Sequence, residues 1–155
     1  MKIIETRYTE ALAKEITPLL EKHWREIANY QADIPLAVNF EAYRQADAGG
    51  KLLVLIAREG DIMIGYSVFM IIRSPHYRSS LFAMNDVIYV LPEYRHGRTG
   101  LALIRESEKR LKALGCVKVS WHVKDKNADG TVNPLSAILR KLGYELEEVS
   151  LGKLL

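Results

Sequence analysis

Apolar residues recur every three or four positions in the first part of the chain, which is the spacing of amphipathic helices. The pattern runs over Thr9–Ile27, and Pro18 interrupts it. It therefore predicts either one kinked helix or a second helix that starts with Thr17 as its N-cap. After a loop, a shorter helix is predicted over Phe40–Ala48, because Asn39 is a favourable N-cap and two glycines follow the pattern.

Short apolar runs bounded by turn residues predict an antiparallel meander of β-strands. Three long strands follow one another at Lys51–Arg58, Ile62–Ile72 and Leu81–Leu91. A short edge strand is predicted at Lys2–Glu5. Gly65, inside the second long strand, indicates a bulge or a close approach of another backbone segment.

The next part of the chain predicts one strand–helix–strand unit. An amphipathic helix opens at the loop 95–100 and ends at Gly115. Val117–Val123 then alternates apolar and polar residues, as a half-buried strand does. This strand should lie parallel to Leu81–Leu91, because such a unit crosses over right-handed within one sheet.

The end of the chain predicts a last helix and a terminal hairpin. The helix starts at Asn133 and stops at Gly143, and the hairpin strands are Tyr144–Val149 and Leu151–Leu155. The element order is then β-α-α-β-β-β-α-β-α-β-β. We expect one α/β (α+β) domain over residues 1–155, with a mixed sheet that combines an antiparallel meander with one central parallel crossover.

The composition narrows the classes of function. The chain has 155 residues, 48% of them hydrophobic and 26% charged, with a net charge of +3. Its basic residues are spread among 19 acidic ones, so we expect an anionic small molecule rather than a nucleic acid as a partner. A single cysteine, Cys116, and the absence of a secretory or membrane-spanning segment predict a cytoplasmic location. Four scattered histidines offer no spacing for a metal site.

The loop between the third long strand and the next helix has the features of a phosphate site. The strand ends at Pro92, and Arg95–Gly100 supplies two arginines and two glycines directly before the helix. The first turn of a helix has backbone N–H groups without partners, and the helix dipole favours an anion there. We therefore expect this loop to hold a pyrophosphate.

The residues of this loop resemble a known family. Val90–Arg95 (VLPEYR), followed by HGRTG at the start of a helix, is similar to motif A of the GNAT-type N-acetyltransferases, and Lys141–Tyr144 (KLGY) is similar to their closing motif. The resemblance implies an acetyl-CoA donor, a small-molecule or protein amine as acceptor, and a cofactor cleft where the third and fourth long strands splay apart. It implies that the cofactor contacts Tyr89, Val90, Arg95, His96, Gly97, Arg98, Thr99 and Gly100.

Two positions depart from the family pattern. Arg98 stands where the pattern has a glycine, and Gly97 lies one place earlier. Either the turn is shifted, with Gly97 supplying the permissive backbone and Arg98 a phosphate contact, or the site is degraded. Leu139 stands where the family often has a tyrosine that protonates the departing thiolate. A CoA-binding module with little or no catalysis is therefore the alternative to an enzyme.

Asp86 is the candidate general base, because an acid within an apolar strand costs desolvation unless it has a partner or a purpose. Burial would make its carboxylate a stronger proton acceptor. The alternative is a partly exposed structural acid. His122, on the polar face of the next strand, is a second candidate for proton transfer. The resemblance implies an acceptor site flanked by His23, Trp24, Glu26, Tyr30, His76 and Tyr77, and it leaves pairing into a homodimer open.

Overall fold

Five strands form one sheet in the computed structural model, which describes residues 1–155, and their order in the sheet is their order in the chain. The strands are β1 (Lys2–Thr6), β2 (Leu52–Glu59), β3 (Ile62–Ile72), β4 (Leu81–Val90) and β5 (Cys116–Trp121). The first four strands pair antiparallel with their neighbours, and β4 pairs parallel with β5. The expected mixed sheet with one parallel crossover is confirmed.

The chain has four helices, and none of them combines the length and the apolar character needed to cross a membrane. They are α1 (Glu10–Ile27), α2 (Phe40–Ala48), α3 (Thr99–Ala113) and α4 (Leu135–Lys141). The hydroxyl oxygen of Thr9 accepts from the backbone N–H of Leu12 at 3.0 Å, and Oδ1 of Asn39 accepts from that of Ala42 at 3.1 Å. Of the two interpretations of Pro18, the structure has the single helix, with Pro18 inside α1.

The sheet is covered on both faces, which explains why its central strands are almost continuously apolar. On one face, Leu103 and Leu111 of α3 pack against residues such as Phe69 of β3. On the other face, Ile16 of α1 packs with Tyr66 of β3 and with β2 and β4, and α2 closes the edge of that cluster. The covered sheet fixes the position of β4, which carries the candidate site.

Gly65 lies where β3 and β4 come too close for a side chain. A Cβ atom built on Gly65 would lie 2.7 Å from the carbonyl oxygen of Tyr89. Both interpretations of this glycine are confirmed, because Ile64, directly before Gly65, has no partner on β2 and forms a β-bulge there. The close backbone contact holds the end of β4 tightly against β3.

The predicted terminal hairpin is wrong, because residues 144–155 form no strand. Leu146, Val149 and Leu151 are exposed, so their apolar side chains do not form the buried face that a hairpin would have. The carboxylate of Glu147 instead contacts the side chains of β5, with 2.9 Å to Nζ of Lys118. The parallel pair therefore lies at the edge of the sheet and not at its centre. β5 ends at Trp121, two residues earlier than predicted, where its pairing with β4 also ends.

Candidate functional site

β4 and β5 stop pairing partway along β4, and we call the space between their separating ends the cleft. The last paired residues are Asn85 and Trp121, and β4 continues to Val90 with β3 as its only strand partner. The edge of β4 beyond Asn85 is thus free of a strand neighbour. Asp86 and His122 are the first residues beyond the last pair, one on each side of the cleft.

Asp86 projects from a β-bulge at the start of this free edge. Val87 pairs with Val68 and Asn85 pairs with Phe69, so Asp86 is an extra residue without a partner on β3. The buried side-chain amide of Asn85 donates to the carbonyl oxygen of Val68 at 3.2 Å and to that of Val87 at 3.1 Å. These two bonds hold the bulge and fix the direction of the aspartate.

The expectation that Asp86 is buried is wrong, because the bulge turns it out of the strand and leaves it exposed. The hydroxyl of Tyr43, on α2, donates to Oδ2 of Asp86 at 2.6 Å. Burial, and then the hydrogen bond and the charge of Asp86, raise the pKa of Tyr43, so its hydroxyl keeps its proton. No protein group donates a hydrogen bond to Oδ1 of Asp86, which is free to accept a proton.

The loop that follows β4 presents an open helix N-terminus. A single 3-10 turn at Pro92–Tyr94 leads into exposed residues 95–98, and α3 begins at Thr99. Arg98 is the N-cap, and its side chain makes no capping hydrogen bond. The first N–H groups of α3 therefore lack a side-chain partner at the place where an anion would bind.

The shifted glycine costs this loop no backbone strain. Arg98 has φ of −97°, and Gly97 does not have a positive φ, so both positions accept any residue. The interpretation that Gly97 supplies a permissive backbone is therefore wrong. The loop keeps its shape with arginine in place of the expected glycine.

Arg95 ties the end of β4 to α1. Its Nη atoms lie 2.6 Å from both carboxylate oxygens of Glu26, and its Nε donates to the carbonyl oxygen of Val90 at 2.8 Å. The guanidinium also lies over the ring of Tyr89, 5.2 Å from its centroid. The hydrogen bonds and charge of Glu26 raise the pKa of Arg95. Arg95, which was expected at the cofactor, thus forms an ion pair with Glu26, which was expected at the acceptor.

His23 joins the same region from inside the protein. It is 7% exposed, its Nδ1 lies 3.1 Å from the hydroxyl of Tyr66, and its ring stacks on Tyr89 at 4.8 Å. Burial lowers the pKa of His23 to about 4; Glu26 opposes this shift, while Arg95 and Lys124 add to it. His23 is therefore neutral at pH 7.

Sequence patterns did not point to Tyr43 or Tyr66, because their partners lie on distant segments of the chain.

The other expected acceptor residues are spread out. Trp24 is half-buried near the end of α1, and Tyr30 is exposed just after it. His76 and Tyr77 are exposed in the loop that precedes β4, at the opposite end of that strand from the phosphate loop. The structure does not bring these two pairs together.

The position of the family tyrosine offers no proton donor. Leu139 is 4% exposed within α4, where it belongs to the core. The nearby hydroxyl of Tyr144 donates to Oε1 of Glu108 at 2.7 Å, and its ring packs edge-on against Trp121. Nor do three His, Cys, Asp or Glu side chains converge as metal ligands. Asp86 and the loop are the groups near this strand end that remain as candidates.

Comparison with known proteins supports an acyl-transfer site. The model of the acetyltransferase (GNAT) family matches residues 13–130. Among curated proteins, none matches this chain by sequence.

Solved structures share the fold over nearly the whole chain. An aminoglycoside acetyltransferase from an uncultured soil metagenomic sample, in complex with sisomicin, is 13% identical at a TM-score of 0.74, covering 99% of this chain and 95% of that one. The ribosomal-protein-alanine N-acetyltransferase of Brucella melitensis biovar Abortus 2308 is 18% identical at 0.66, covering 99% of both chains. A transcriptional regulator from Bacillus halodurans C-125 is 14% identical at 0.75, covering 99% of this chain and 100% of that one. Identities this low show a common fold alone.

Proposed function

Because the chain belongs to the acetyltransferase (GNAT) family, we propose that it is an N-acetyltransferase that takes an acetyl group from acetyl-CoA and transfers it directly to an amine of a small molecule or a protein. The observation that carries the proposal is the cleft itself. A carboxylate with a free oxygen stands where β4 leaves β5, and an uncapped helix N-terminus stands at the far end of the same free strand edge. A reacting centre and an anion site are thus joined by one strand.

The residues of the loop fit the polyanionic part of acetyl-CoA. The backbone N–H groups from His96 to Gly100 are in an exposed turn and in the first turn of α3, and Arg98 has no carboxylate partner. The backbone of Tyr89 and Val90 would contact the pantetheine arm along the free edge of β4. Arg95 would support these residues through the Val90 carbonyl oxygen. We assign Arg95 a role that is partly structural and partly cofactor-binding, because its positive charge is already paired with Glu26.

Acetyl-CoA supplies the acetyl group as a reactive thioester. The acceptor nitrogen must lose a proton to attack, and we assign Oδ1 of Asp86 to take it, because no protein group donates to that oxygen. Attack by the neutral amine would form the bond from nitrogen to the acetyl carbon and break the carbon–sulfur bond, with the electron pair leaving on sulfur. The second proton of the nitrogen would then pass to water. Leu139 cannot protonate that sulfur, so CoA departs as a thiolate or takes its proton from water. His122, across the cleft from Asp86, is the second candidate for moving a proton.

The test measures CoA thiol release with a panel of polyamines, aminoglycosides, amino acids and peptides. The panel includes the two acceptor classes named for the structural neighbours. Replacing Asp86 by asparagine should lower kcat/KM by about 100-fold or more, since positioned general bases contribute that much. Asp61→Asn, in the exposed turn between β2 and β3, is the matched control and should change little. Unchanged turnover of Asp86→Asn across pH 6–9 would refute the base assignment.

A CoA-binding module without efficient catalysis is the second candidate. Two features favour it. Leu139 is buried and cannot act as a general acid, and the positive charge of Arg95 is paired with Glu26 rather than available to the phosphates. Calorimetry with acetyl-CoA separates the outcomes. Binding without thiol release for any acceptor supports the module, and absence of binding at millimolar acetyl-CoA overturns both candidates.

A further inference from the structure

An apolar cavity of about 50 Å³ lies between the first two helices and the sheet, on the face opposite to α3. All eleven residues that line it are hydrophobic. They include Leu12 and Ala13 of α1, Tyr43 of α2, and Val68 and Val87 of the sheet. Leu12 and Tyr43 are only half-buried, so the cavity reaches the surface between the helices.

This cavity adjoins the carboxylate of the cleft. Val87, which lines it, directly follows Asp86 in the chain. The ring of Tyr43 lines it as well, while the hydroxyl of the same residue donates to Asp86 at 2.6 Å. An apolar recess and an anionic group are therefore joined by one side chain, at the place where the two strands separate.

We propose that this cavity receives the apolar substituent of the acceptor, so that the acceptor is a primary amine with a short aliphatic group. The inference rests on the proposed function, and it specifies the class of substrate for the same site. Oδ1 of Asp86 binds the ammonium group and then accepts its proton. The aliphatic group fills the recess beside Tyr43.

The size and the polarity of the recess together favour a short aliphatic amine. A dry apolar cavity of roughly 150 Å³ holds one benzene ring, so a volume about a third as large suits two or three carbons and excludes a ring. A hydroxyl or a second ammonium group would lose its hydrogen bonds to water there, because the lining has no polar groups other than the hydroxyls of Tyr8 and Tyr43, which already donate to Glu10 and Asp86. Sugars and polyamines are therefore poor occupants.

The first experiment compares propylamine with ethanolamine, which has the same length and carries a hydroxyl in place of the terminal methyl group. With acetyl-CoA as donor, kcat/KM for propylamine should exceed that for ethanolamine by about tenfold or more. Equal rates would overturn the inference while leaving the proposed function intact. If acetyl-CoA does not bind, the proposed function fails, and propylamine binding is followed instead by NMR shifts at Ala13 and Val87. Shifts at these residues support the recess, and their absence overturns it.

The second experiment changes the volume of the recess in both directions. Ala13→Leu should fill it and lower the ratio of kcat/KM for propylamine over methylamine by about tenfold, with the KM for acetyl-CoA unchanged. Ala11→Leu makes the same substitution at an exposed position of the same helix and should leave the ratio unaltered. Leu12→Ala should enlarge the recess and raise the relative rate with isobutylamine.

Two variants are used so that the test still gives a result if one of them does not fold. If circular dichroism shows that Ala13→Leu does not fold, Leu12→Ala decides. A role in packing alone would change stability without shifting the preferred chain length. A preference that moves in neither variant would show that the acceptor binds elsewhere.

Discussion

Lowering the pH from 7 to 5 should destabilise the protein through His23. The ring is buried against Tyr66 and Tyr89, and burial lowers its pKa from 6.5 to about 4. The unfolded chain binds a proton at His23 near pH 6.5, whereas the folded chain does so only near pH 4. The stability that depends on neutral His23 is therefore complete above pH 6.5 and is lost as the pH falls towards 4.

The size of this effect follows from the two pKa values. Each pH unit between them is worth about 1.4 kcal/mol, so the loss between pH 7 and pH 5 is about 2 kcal/mol. The histidine is 7% exposed, so solvent screening reduces this figure little. That loss is a large fraction of the stability of an ordinary domain.

Urea denaturation at both pH values measures the effect against His23→Gln, which keeps a polar side chain for Tyr66 and does not titrate in this range. The wild-type free energy of unfolding should fall by about 2 kcal/mol more than that of the variant. His76→Gln, at an exposed histidine, is the control and should follow the wild type. Identical pH dependences of wild type and His23→Gln would refute the claim that this histidine is held neutral in the fold.

Three further outcomes are expected. Gly65→Ala should destabilise the fold by about 2 kcal/mol or more in urea denaturation, because the new Cβ would lie 2.7 Å from the backbone oxygen of Tyr89, and a neutral effect would contradict that contact. Gly97→Ala should stay within about 0.5 kcal/mol of the wild type, since the nearest atom to its Cβ is 3.9 Å away; a large loss would show that the loop requires glycine. Burial raises the pKa of Cys116, so iodoacetamide should alkylate it at pH 7.5 more slowly than it alkylates free cysteine, and an equal rate would count against this.

Local patterns predicted the elements whose causes are local. The N-cap role of Asn39 and the helix that follows depend on neighbouring residues, and both agree with the structure. The parallel crossover followed from chain order and handedness. The terminal hairpin required Tyr144–Val149 to pair with another strand, and the residues of this segment alone could not show that no such pairing forms.

The details of the site depend on contacts between distant segments, which the sequence pattern does not contain. The bulge at Asp86 depends on how β4 pairs with β3, so the apolar run around Asp86 could not show that the residue is exposed. Tyr43 and Asp86 are 43 residues apart, and Glu26 and Arg95 are 69 residues apart. Only the fold brings these residues together.

The two arginines of the loop show how the departure from the family pattern changes the site. Glu26 pairs with Arg95, so the first arginine is committed to holding α1 and the end of β4 in place. Arg98 occupies the N-cap of α3 with a backbone that needs no glycine, and no carboxylate pairs with it. The unpaired positive charge of the loop therefore lies at the helix N-terminus itself, where backbone N–H groups and the helix dipole already favour an anion. At the proposed anion site, Arg98 in place of the family glycine thus adds a positive charge without straining the backbone.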